Sequence, residues 1–179
     1  KQGVIYSAIA PNAIGARRAI AAGADSIQVF LSASESHNQS NLNMSIEQSL
    51  VQGAEIAQMV AEAGRMFDAV ISVVFGCPFE GDVPIQRVLD LSERLLALGA
   101  EQITLGDTTG MAHPRLVQEV ILALQQRFPR AQLRLHPHSA RGAGLANVLA
   151  ALEVGVTRFD ASAGGIGGCP FAPGAPGNI

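Results

Sequence analysis

The sequence predicts an α/β fold that forms part of a (β/α)8 TIM barrel. Three observations point there. First, short apolar runs rich in β-branched residues alternate strictly with segments whose apolar residues recur at helical spacing. This is the pattern of parallel strands joined by right-handed crossovers. Second, the chain has 179 residues, room for about six βα units, whereas a closed barrel takes about 250 residues. Third, polar and titratable residues follow nearly every strand-like run, the end where both barrels and open sheets keep their chemistry. Their spread over many strands fits one barrel mouth better than the single crevice of a doubly wound sheet. No Gly-x-Gly-x-x-Gly follows the first run, so a dinucleotide site lacks its fingerprint. The GGIGG at 164–168 comes after the last strand, with no helical pattern behind it.

The elements read in order as follows. Val4 to Ala8 is a short apolar strand, and Asn12 to Gly23 a helix closed by glycine. Ser26 to Leu31 is β-branched and aromatic, hence a strand. The polar stretch SASESHNQSNLNM then reads as a loop. Ser45, with Gln48 three residues on, opens a long helix through a capping box, and Gly64 stops it. Ala69 to Phe75 is a continuous apolar run suited to a strand buried on both faces. Pro84 sits near the start of a helix running to Leu98, and Gln102 to Leu105 is the next strand. Pro114 begins a helix that ends near Phe128, before Pro129. Gln132 to Leu135 is a strand, Gly142 to Glu153 a helix, and Val156 to Asp160 the last strand. A Gly/Pro-rich loop follows. That makes six strands and five intervening helices in a single domain, 1–179, with no internal boundary.

Composition removes several function classes. With 48% hydrophobic residues the chain can bury a core, so it is not disordered as a whole. Twelve Lys and Arg against 15 Asp and Glu leave a net charge of −3. Nucleic acid and an anionic membrane both call for a basic face, so neither is the expected partner. There is no Trp and one Tyr, which leaves few rings for base stacking. No run of about 18 apolar residues is present to cross a membrane. Two cysteines, Cys77 and Cys169, do not make a disulfide framework. The chain starts at Lys1 and enters an apolar run at once, so it is expected to be a piece of a longer protein.

His136-Pro137-His138 is the strongest local signal. Residues i and i+2 of an extended segment share a face, so two imidazoles project together, as cis ligands of one divalent metal do. The alternative is a surface turn in which Pro137 merely ends a strand. Cys169 stands in GGIGGCPFAPGAPGN, too rich in Gly and Pro for helix or sheet. A thiol on such a loop serves as nucleophile, as proton donor, or as a bystander. Asn178 offers an amide oxygen to a hard cation or a turn to the backbone. Asp107, in LGDTTG, could bond a ligand hydroxyl, orient a His, or close an Asx turn. Cys77 reads as structural, and His37 and His113 as exposed bystanders in polar loops.

Taken together, SASE at 32–35, NLNMSIEQSL at 41–50, GCPFEG at 76–81, LGDTTG at 105–110, GLANVLAALEVGV at 144–156 and GGIGGCPFAPGAPGN at 164–178 resemble the 3-hydroxy-3-methylglutaryl-CoA lyase family. That family belongs to a superfamily of metal-dependent lyase and synthase barrels. The resemblance covers essentially the whole chain in the same order. The GGCP loop ending in GN is specific to the lyase branch, and the HxH pair is common to the superfamily. It implies a retro-Claisen cleavage of 3-hydroxy-3-methylglutaryl-CoA to acetoacetate and acetyl-CoA, as in leucine degradation and ketone-body metabolism. It implies a small-molecule acyl-CoA as partner and a cytoplasmic or mitochondrial-matrix location. The sequence leaves the oligomeric state open, with a homo-oligomer as one option. The implied cofactor is a divalent cation, Mg or Mn, held by His136, His138 and Asn178. The implied catalytic residues are Cys169, His136 and Asp107, with Cys169 helping to protonate the departing enolate. The family's first two strands, which carry a fourth ligand Asp and a catalytic Arg, have no counterpart here. Pro137, Ser139 and Ala140 also depart from the family pattern around the histidines. A related acyl-CoA lyase or aldolase, and a diverged non-catalytic barrel, are the alternatives.

Overall fold

The computed structural model describes residues 2–165 and 178–179. Five parallel strands form one sheet: β1 (Ser7–Ile9), β2 (Ser26–Ser32), β3 (Met66–Ser72), β4 (Gln102–Gly106) and β5 (Gln132–His136). Six α-helices accompany them: α1 (Ala13–Ala21), α2 (Glu35–Leu42), α3 (Ile46–Glu62), α4 (Ile85–Ala97), α5 (Pro114–Arg127) and α6 (Gly144–Glu153). Strand order in the sheet equals order in the chain. Right-handed crossovers that all step the same way place every crossover helix on one face. Consecutive helices accordingly pack side by side, α1 on α3, α3 on α4, α4 on α5 and α5 on α6. A doubly wound sheet requires a reversal of strand order, and there is none. The architecture is that of a barrel wall.

Register sorts the two faces of the wall. The rows Val29–Ala69–Ile103–Leu133 and Leu31–Ile71–Leu105–Leu135 are apolar, buried, and part of one core with the helices. The alternate row Gln28–Asp68–Gln102–Gln132 is polar, and Thr104 and Arg134 sit one step further along the same face. Ser26 Oγ donates to Asp68 at 2.7 Å, and Arg158 donates to Gln102 Oε1 at 3.0 Å. The inner face of this wall is therefore held by hydrogen bonds, while the outer face supplies the apolar burial.

Four elements differ from the sequence reading. The first strand, expected at Val4–Ala8, starts three residues later, at Ser7, and ends at Ile9. Val156–Asp160 is not a full strand: Phe159 makes a single parallel bridge to Leu135, flanked by Leu135 N–H to Arg158 O at 3.1 Å and Asp160 N–H to Leu135 O at 3.0 Å. The segment runs where a sixth strand would lie, but no further strand pairs with it among the described residues. The strand expected at Ala69–Phe75 starts three residues earlier and stops at Ser72, because Val73 turns to φ +53°. Val73, Val74 and Phe75 are buried as their apolarity demands, but in a turn. Finally, the polar loop after β2 contains α2. Ser34 caps it by accepting His37 N–H, and Asn43, at φ +54°, closes it. Its sequence ESHNQSNL lacks any apolar periodicity that could have announced a helix.

Candidate active site

The carboxyl ends of β4 and β5 bring together the residues of interest. Asp107 follows β4 directly. Its N–H donates to His136 O at 3.0 Å, and its Oδ1 accepts the Ala112 N–H at 3.0 Å. Its Oδ2 is buried and has no hydrogen-bond partner among the described residues. Burial pushes the carboxyl pKa up to about 7, only partly opposed by the Ala112 and Met111 N–H groups and by the charges of Arg141 and His136.

His136 ends β5, half-buried, and His138 lies two residues on, buried. Their ring centroids are 5.2 Å apart with planes tilted by 50°. Strand alternation through Pro137 puts both rings on one face, as the spacing predicts. Asn178 forms an antiparallel bridge with His138, Ile179 N–H donates to Pro137 O at 3.3 Å, and Ser162 Oγ donates to Asn178 O at 2.5 Å. The end of the chain is thus pinned against the histidine segment.

These donors fit a divalent cation. Imidazoles with centroids 5.2 Å apart lie within reach of one ion bound at about 2.1 Å from each. The Asn178 side-chain amide is buried, with its Nδ2 unpartnered among the described residues. Amide nitrogen and oxygen are interchangeable by a flip, and the flip would present an oxygen with no other claim on it. Among the described residues, no cluster of three or more His, Cys, Asp and Glu is arranged for a metal. The set here is two imidazoles and an amide, with no anionic donor among the three.

Asp160, seen in the sequence only as a strand-end residue, belongs to the same group. Its Oδ2 lies 2.9 Å from His136 Nδ1, and its Oδ1 lies 3.3 Å from an Arg134 guanidinium nitrogen. Its signal in the sequence was position alone, one strand over from His136. Cys169 falls outside the described residues. Cys77 is buried and structural, as expected: its sulfur lies 2.9 Å from Ser34 Oγ and accepts the Phe79 and Glu80 N–H groups at 3.3 and 3.4 Å. His113 is exposed, as expected, and caps α5 by accepting Leu116 N–H. His37 is a correction. It is fully buried, with Nδ1 2.7 Å from Ser32 Oγ, because α2 folds back over the end of β2.

The family model described as HMGL-like matches residues 1–179. The chain belongs to the HMGL-like family. It is 47% identical to the hydroxymethylglutaryl-CoA lyase YngG of Bacillus subtilis over 99% of its own length and 60% of that protein's. The crystal structure of the B. subtilis lyase superposes with a TM-score of 0.94 over 99% of this chain and 60% of that one. An Acinetobacter baumannii lyase solved with coenzyme A and 3-methylmalate is also 47% identical, with a TM-score of 0.93 over 100% of this chain and 58% of that one. An (R)-citramalyl-CoA lyase of Chloroflexus aurantiacus is 41% identical over 97% of this chain and 55% of its own. The chain therefore spans 48–62% of the length of the HMG-CoA lyases it matches. No helix among the described residues is long and apolar enough to cross a membrane.

Proposed function

We propose that the protein is a carbon–carbon lyase that cleaves 3-hydroxy-3-methylglutaryl-CoA to acetoacetate and acetyl-CoA, and that this chain carries most of its metal site. The observation that supports it best is the paired His136 and His138 at the mouth end of β5, with Asn178 bridged to them, in a chain matched along its whole length by the HMGL-like model. His136, His138 and Asn178 would hold a divalent cation, Mg or Mn. When bound, the cation makes the substrate's C3 hydroxyl easier to deprotonate. A fourth, anionic ligand would complete the set from outside these residues, because hard cations favour carboxylate oxygen.

Cleavage requires a proton to leave the C3 hydroxyl as the C2–C3 bond breaks, and a proton to reach the acetyl-CoA enolate at carbon. Asp107 carries a carboxyl that holds or releases a proton near neutral pH, the property an acid–base group needs. Cys169, in the Gly/Pro-rich stretch, serves as the proton donor to the enolate. The 47%-identical lyase solved with coenzyme A supports an acyl-CoA as the small-molecule partner. The citramalyl-CoA lyase relative favours the second reading, the same chemistry on a neighbouring acyl-CoA.

The test is a steady-state assay of the full-length protein with Mg or Mn, on 3-hydroxy-3-methylglutaryl-CoA and on citramalyl-CoA. Turnover should require metal and be abolished in His136→Ala and His138→Ala, and His113→Ala should keep it. Metal-independent turnover, or an active His138→Ala variant, would overturn the assignment.

A further inference from the structure

We infer that Asp160 is a positioning residue that fixes His136 as its Nδ1–H tautomer, leaving Nε2 as the ring's only ligating atom. This rests on the metal-site reading given above and deepens it. The geometry is a relay across two neighbouring segments. Arg134 and His136 are i and i+2 on β5 and so share its inward face. Both reach the one carboxylate opposite, Arg134 at Oδ1 (3.3 Å) and His136 Nδ1 at Oδ2 (2.9 Å). Asp160 is itself tied to β5 through its N–H to Leu135 O at 3.0 Å.

The chemistry of the three groups sets the proton. A guanidinium only donates, and an ionised carboxylate only accepts. The Asp160–His136 contact therefore requires the hydrogen on Nδ1. A neutral imidazole has a single N–H, so Nε2 keeps its lone pair. Carboxylate–histidine pairs of this kind orient metal-binding imidazoles. With its proton committed to Asp160 and its lone pair to an ion, the His136 ring has no vacant site for the proton of the C3 hydroxyl. His136 is then a ligand and not the base, which leaves the proton to another group.

The test uses the full-length protein labelled with 15N-histidine, with His136 assigned by its loss in His136→Gln. In the metal-free protein, at a pH where its histidines are neutral, long-range 1H–15N correlation should show His136 in the Nδ1–H form. Asp160→Ala should shift it to the Nε2–H form that an unpartnered imidazole favours in water. Mn2+ affinity, by titration calorimetry or electron paramagnetic resonance, should fall about 10–100-fold in Asp160→Ala. Asp160→Asn keeps an acceptor and should lie between Asp160→Ala and the parent in affinity. Glu119→Ala, which breaks only an exposed pair with Arg115, should change neither readout. An Nε2–H tautomer in the parent, or parental Mn2+ affinity in Asp160→Ala, would overturn the inference. Should Asp160→Ala fail to fold, the parent's tautomer and the Asp160→Asn titration still decide it. A parent with the Nδ1–H tautomer but no Mn2+ binding would sink the metal reading and leave the positioning role standing.

Discussion

Asp107 and His37 are two buried titratable side chains that pull stability in opposite directions with pH. Asp107 has its folded pKa raised by burial from 3.8 to about 7. Between those values the folded state holds a proton that the unfolded state has released. Stability therefore falls as pH rises from about 4 to about 7 and is level above. The span corresponds to a few kcal/mol, roughly 4 at most. Asp107→Asn removes the dependence, so its melting temperature relative to the parent should climb across that window and then hold constant. His37 has its pKa lowered from 6.5 by desolvation. Below that value the unfolded chain gains a proton that the folded one refuses, so stability drops as pH falls from about 6.5. Denaturant titrations should show the parent losing stability relative to His37→Gln as pH falls below about 6.5, a difference in which the Asp107 contribution cancels. Neither effect is readable from residue type. Asp107 stands in a turn-like GDTTG and His37 in a polar stretch, and both become buried only through what packs over them.

At the scale of elements, the turn after β3 shows why apolarity predicts burial better than conformation. Ala69–Phe75 reads as one strand, yet Val73 enters the left-handed region, sparse for a β-branched residue. Its N–H is held by Thr108 Oγ1 at 3.0 Å, and Thr109 Oγ1 donates to Gly76 O at 3.0 Å. The GDTTG segment thus clamps the β3 turn on one side and touches His136 on the other. Gly76 sits at φ +148°, and a Cβ there would meet Met111 side-chain atoms at 2.7–2.9 Å. Gly76→Ala should cost about 2–4 kcal/mol, from overpacking and backbone strain together. A denaturation midpoint close to the parent's would show that Met111 moves aside freely. Helix α2 makes the complementary point. Asn38 holds it down by accepting Ser32 N–H at 2.8 Å and donating to Met44 O and Ser49 Oγ at 2.9 and 2.8 Å. A helix docked by polar contacts has no hydrophobic stripe for the sequence to display.

Across the whole molecule, the two ends of the sheet expose apolar surface. Val4, Ile5, Tyr6 and Ile9 are exposed beside β1. Leu145, Leu149 and Leu152 are exposed on α6 at i, i+4 and i+7, a stripe of the kind that packs on another element. Free edges and apolar stripes favour association. The 179-residue chain alone should therefore sediment as dimers or larger species and bind a hydrophobic dye. It should also fail to cleave 3-hydroxy-3-methylglutaryl-CoA, because none of its three candidate ligands is anionic. A chain extended to the length of its lyase relatives should turn over. Equal turnover by the two lengths would show that the assigned ligand set is wrong.

The alternation of strand and helix, the parallel sheet and the pairing of His136 with His138 are legible in the amino-acid sequence by itself. Each follows from local periodicity: 3.6 residues for the helices, 2 for the HxH pair, and crossover handedness for the rest. The GGCP and HxH segments likewise carry the family resemblance in linear order. What only the tertiary structure decided depends on residues distant in the chain. Asp160 is 24 residues from His136 and meets it only because the segment after α6 returns alongside β5. Val73 is turned by Thr108, 35 residues away. The raised pKa of Asp107 and the burial of His37 belong to the same class, since desolvation is set by neighbours that only the folded chain assembles.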